Sequence, residues 1–169
     1  MPLLTLNELE RATPLFRGKC GNALCSGLMH LLSIDRVNDL YRRNSIVNGP
    51  DFTKAVLEDI GVEYEVLNQE VLANLPDGPF ITISNHPYGH LDGVILVDLL
   101  GHIRPDFKVM VNKFLGRIRT LDENFICVTP IGEERTSPTK DSIQGIKDAV
   151  AHIRTGGALG LFPSGAVSD

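Results

Sequence analysis

From residue 62 onward, short apolar runs alternate with helical stretches, and no other feature of the chain constrains its fold as tightly. The runs FITIS (80–84), FKVMVN (107–112), FICVTPI (125–131) and ALGLF (158–162) read as buried strands. Helical segments lie between them, at 92–101, at 114–121 and at 138–155. The last is the clearest, with Ser137 as cap, Pro138 in the first turn, Ile143, Ile146, Val150 and Ile153 on one face, and Gly156 and Gly157 to end it. Such alternation predicts an α/β fold with a mostly parallel sheet flanked by helices, and with its chemistry at the carboxyl ends of the strands. Val62, Tyr64 and Val66 alternate with Glu63 and Glu65, which predicts one further strand with a wet face.

The first sixty residues follow a different period. Leu24, Leu28, Leu31 and Leu32, then Val37, Leu40 and Tyr41, recur at three and four residues, with Ser33 able to cap a second helix. Pro50 and Asp51 open a shorter helix with Phe52, Val56 and Ile60 on one face and Gly61 as its stop. Two regions are therefore expected: helices over 1–61 and an α/β core over 62–169. A chain of 169 residues that is 43% hydrophobic and 22% charged can bury a core of ordinary size.

Charge and cysteine content narrow the function. A net charge of −5 argues against a nucleic-acid partner. The basic residues Arg104, Lys108, Lys113, Arg117 and Arg119 cluster against one acid, Asp106, and could form a local anion-binding patch or simply a solvated face. Cys20, Cys25 and Cys127 form no C-x-x-C pair, as expected of reduced thiols in a cytosolic protein. The opening residues have acids where a signal peptide has cations, and no run approaches the length of a membrane span, so any membrane contact is expected to be peripheral.

The stretch SNHPYGHLDG (84–93) interrupts the apolar core with two histidines and an aspartate as the first buried strand gives way to a helix. A helix cap would explain Asp92, and a polar core histidine would explain His86. The pair also suits catalysis. An imidazole can take the proton of a hydroxyl near neutral pH, and a carboxylate beside it fixes the tautomer and stabilises the imidazolium. No G-x-S-x-G elbow accompanies the pair, so the nucleophile is expected to be the substrate's hydroxyl.

Asn85-His86 with Asp92 resembles the first motif of the glycerolipid acyltransferases of the lysophosphatidate type. Five residues separate His86 from Asp92 where that family has four. The variant NHPxGxLDG resembles a bacterial branch often labelled hemolysins, which includes acyltransferases acting on lyso-ornithine or lyso-glycine lipids. The likeness extends through LLSIDRVNDLYRR, DFTKAVLEDIGVEYEV and LPDGPFITISNHP. In NKFLGRIR, Lys113, Gly116 and Arg117 resemble the region that positions the acceptor head group. Phe162, Pro163, Ser164 and Gly165 resemble the family's Phe-Pro-Glu-Gly, with Ser164 in place of the acid. Family domains continue past this motif, so the resemblance implies a core truncated at its C-terminus.

The resemblance implies an O-acyltransferase that moves a fatty acyl group from acyl-CoA or acyl carrier protein to a lysolipid hydroxyl. His86 would be the general base oriented by Asp92, with Asn85 and the second and third motifs binding substrate. No metal or redox cofactor is implied. The place of work would be the cytoplasmic side, peripheral on the inner face of the membrane. Two other readings of the residues stand beside it: a metal-dependent hydrolase using His86, His90 and Asp92, and a non-catalytic module that rests on a membrane through the stripe at 24–43 and the basic stretch.

Overall fold

The computed structural model describes residues 34–129 and 140–165. The chain divides into two compact units, Met1–Ile46 and Val47–Asp169. In the first unit, α1 (Ile34–Asn44) carries Asp35 in its first turn and Arg42 and Arg43 in its last, each sign placed to suit the helix dipole. Asp39 pairs with both arginines. Leu24, Leu28, Leu31, Leu32 and Ser33, with Cys20 and Cys25, lie outside the described residues.

The second unit opens with α2 (Gly49–Asp59), which has Pro50 in its first turn beside the acid Asp51. Phe52, Thr53, Val56 and Leu57 are its buried face, while Ile60, expected on that face, is 44% exposed. Gly61, at φ 69°, ends the helix, and the Val62 N–H returns to the Leu57 carbonyl at 2.9 Å. The segment 62–66 leaves Val62 and Val66 half-buried and Glu63 and Glu65 exposed, but Tyr64 is exposed too, and among the described residues the segment pairs with no strand. The strand expected here does not form; Tyr64 instead donates its hydroxyl to Asp98 on a later helix. A single turn, α3 (Glu70–Ala73), leads to the sheet.

Four strands follow: β1 (Phe80–Ile83), β2 (Lys108–Asn112), β3 (Phe125–Val128) and β4 (Ala158–Leu161). They form one parallel sheet in the order β1-β4-β2-β3. Helix α4 (His90–Ile103) joins β1 to β2, and α5 (Lys140–Arg154) joins β3 to β4. The steps run in opposite directions across the sheet, so right-handed crossovers place the two helices on opposite faces. Two short 3-10 turns, Lys113–Arg117 and Arg119–Leu121, replace the helix expected over 114–121.

The core lies in two layers. On one side Ile126, Ala149 and Leu159 cluster, with Met110, Ile153 and Leu161 packed against them. On the other, Phe107, Val109 and Val97 are wholly buried. Helix α5 packs through Ser142, Gly145 and Ala149, all buried, whereas Ile143, Ile146 and Val150 of its expected apolar face point outward. The reason is close approach: a Cβ on Gly145 would lie 2.5 Å from the Cys127 carbonyl oxygen, so the small residues set the contact. Ser137 and Pro138 lie outside the described residues. No described helix is long and apolar enough to cross a membrane.

Candidate active site

The loop after β1 turns sharply at Gly89, whose φ of 63° is a left-handed conformation that favours glycine, and it enters α4 at His90. The turn places Asp92 in the first helical turn, where its Oδ2 accepts the Tyr88 backbone N–H at 2.9 Å. The same oxygen lies 3.1 Å from His86 Nδ1. Asp92 thus ties down the turn ahead of the helix, whose N-cap is Gly89 without a side-chain cap, and it faces the imidazole across five spacer residues.

Both side chains are mostly covered, with 20% of His86 and 14% of Asp92 exposed. His86 Nδ1 is itself buried, so the exposure falls on the rest of the ring. The Phe162 ring packs against the imidazole, at 4.3 Å between centroids and a 31° tilt. Pairing of β1 with β4 makes this possible, since the Ser84 N–H bonds to the Leu161 carbonyl at 3.0 Å and brings the two strand ends together. Pro163 and Ser164 follow in a turn closed by the Gly165 N–H on the Phe162 carbonyl, 3.0 Å away. Sequence reasoning assigned Phe162 to substrate; its contact with the histidine was hidden because only the strand order brings residues 86 and 162 together.

Asn85 is exposed at the strand end. Lys113 follows β2, two strands from β1 and therefore about 10 Å across the sheet. It lines a cleft of about 430 Å³ with Lys108, Phe125, Cys127, Gln144 and Asp148, among others. No residue of 84–93 lines that cleft, so it is separate from the histidine. Gly116 has a packing role, since a Cβ there would meet Cys127 Sγ at 2.9 Å. Arg117 lies over the Phe114 ring, 5.1 Å from its centre.

The basic stretch is partly spent on structure. Arg104 forks onto Asp106, reaches the carbonyls of Pro76, Gly78 and Gly156, and stacks on Phe80. Lys108 bonds the Glu123 carbonyl, and Arg119 pairs with Asp122. Among the described residues no three His, Cys, Asp or Glu side chains converge as metal ligands would, so exposed His90 does not complete a set with His86 and Asp92.

A second titratable cluster went unnoticed in the sequence. The Tyr64 hydroxyl donates to Asp98 Oδ2 at 2.6 Å, and burial together with that carboxylate pushes the phenol well above its ordinary value. One turn on, His102 faces the Asp98 carbonyl at 2.6 Å and Asp51 Oδ1 at 3.2 Å. Burial opposes the charge on His102, but these acceptors outweigh it and raise its pKa.

Comparison with known proteins gives a consistent picture. Residues 8–142 match the family described as acyltransferase. A lyso-glycine lipid O-acyltransferase of Bacteroides thetaiotaomicron is 29% identical over 145 residues, 85% of this chain and 50% of that protein. A second protein of that name, from Phocaeicola vulgatus, is 31% identical over 111 residues, 64% of this chain and 39% of its own. The chain thus spans half or less of the length of these curated relatives. No solved structure matches it.

Proposed function

The chain belongs to the acyltransferase family, and from that membership we propose that it transfers a fatty acyl group from a thioester donor to the free hydroxyl of a lysolipid. The observation that carries the reading is the His86–Asp92 contact, 3.1 Å apart at the carboxyl end of β1. Names of the relatives point to the acceptor class, since both are lyso-glycine lipid O-acyltransferases. The donor is acyl-CoA or acyl carrier protein, and either is a substrate; no metal or redox cofactor takes part.

The chemistry follows from the two nitrogens of one ring. With Nδ1 facing the Asp92 carboxylate, the N–H tautomer is fixed there, and Nε2 is left as the base. Nε2 takes the acceptor's hydroxyl proton as the oxygen attacks the thioester carbonyl. The tetrahedral adduct then collapses, the C–S bond breaks, and the sulfur leaves as a thiol with the proton from His86. Asp92 stabilises the imidazolium between these steps. Asn85 and the turn 162–165 would meet the acceptor beside the base, while Lys113, Gly116 and Arg117 would serve an anionic head group or the donor's phosphates one strand beyond β4. The site works on the cytoplasmic side, with the protein peripheral on the inner face of the membrane.

Incubating the protein with a panel of lysolipids and both donors, and reading products by mass spectrometry, tests this. A lysolipid gaining one acyl group is expected, with His86→Ala slowed about 10²- to 10⁴-fold. Absence of product from every acceptor, or full turnover in His86→Ala, would reject the proposal.

A further inference from the structure

We propose that α5 and the adjoining face of β1 form a docking surface for an anionic lipid bilayer. Register sets the geometry of β1. Ile81 and Ile83 pair with Leu159 and Leu161, and those leucines point into the cluster that Ala149 of α5 covers. Ile81 and Ile83 therefore face the same side as α5, yet α5 packs over β3 and β4 and leaves β1 bare. They are 51% and 72% exposed.

Helix α5 continues this apolar surface. Its Gln144 and Asp148 flank turns to the β3 edge, where both line the cleft described above. The opposite flank, carrying Ile143, Ile146 and Val150 at 43%, 51% and 44% exposure, therefore turns toward β1. Along the outer rim of that row stand Lys140, Lys147 and Arg154, all exposed. Seven-residue spacing keeps these cations nearly in line along the helix. An apolar strip with a cationic border is the surface chemistry that seats a helix at the head-group level of an anionic membrane.

The charge row selects this partner over another protein face, because three aligned cations beside five exposed apolar side chains match lipid phosphates and acyl chains together. The surface uses none of the residues of the stripe at 24–43 or of the basic stretch around Lys113. It rests on exposure, register and the charge row, so a failure of acyl transfer would leave it standing.

Co-sedimentation of the full chain with phosphatidylcholine vesicles, with and without phosphatidylglycerol, tests the proposal. Binding is expected only with the anionic lipid and is expected to weaken with salt. Replacing Lys140, Lys147 and Arg154 together by Gln should weaken it by roughly a hundredfold, about fivefold for each charge. Ile143→Ser with Ile146→Ser should also weaken it, while the thiol introduced by Ile146→Cys should react freely with a soluble maleimide until anionic vesicles are added. Equal binding to neutral vesicles, unchanged binding of the charge variant, or a thiol already shielded in the absence of vesicles would overturn the proposal.

Discussion

One carboxylate serves two masters at the start of α4. Asp92 accepts the Tyr88 N–H and faces His86 through the same oxygen, so an amide in its place keeps an acceptor for the turn while losing the charge that, in the proposed mechanism, supports an imidazolium. Asp92→Asn is accordingly expected to lower turnover at least tenfold while changing stability by less than about 1 kcal/mol, as read by acyl transfer and denaturant melts. At Asp98 the logic is reversed, because its role is structural. Removing the Tyr64 hydroxyl takes a donor from a mostly buried carboxylate, so Tyr64→Phe should cost about 1–3 kcal/mol in a denaturant titration.

At the scale of elements, the α2–α4 contact is joined by a titrating histidine. His102 sits on α4 between the Asp98 carbonyl and Asp51 of α2, and its pKa is raised in the fold. The protonated ring therefore adds stability that is fully present below its unfolded value of about 6.5 and is lost as pH rises through the higher folded value. Thermal midpoints should fall more between about pH 6 and pH 8 for the parent protein than for His102→Gln. Packing of α5 on the sheet makes a separate demand. Gly145 admits no side chain against the Cys127 carbonyl, so Gly145→Val should destabilise by about 2 kcal/mol or more, measurable by chemical denaturation.

Across the whole molecule, what was legible in the sequence is what local pattern encodes. All four short apolar runs became strands, since uninterrupted β-formers bounded by turn residues describe strands of a parallel sheet; β1, expected buried, nonetheless leaves Ile81 and Ile83 exposed because α5 packs over β3 and β4 instead. His86 and Asp92 were legible because six positions across a glycine turn still form a local structure. Segment 62–66 misled because alternation reports a half-buried surface without saying whether a strand or a helix covers it. The outward row on α5 misled for a related reason: hydrophobicity was read as burial, whereas the close approach needed small residues at 142, 145 and 149. Phe162 against His86 was beyond local reading altogether, since the strand order is a property of the assembled sheet.

A double-mutant cycle in lysolipid acylation by His86→Ala, Asp92→Asn and the pair tests most directly whether these side chains act as one unit. If Asp92 works through His86, the double variant turns over at the rate of His86→Ala alone. Losses that simply multiply would mean that the two groups act independently, and the account of the site would be wrong.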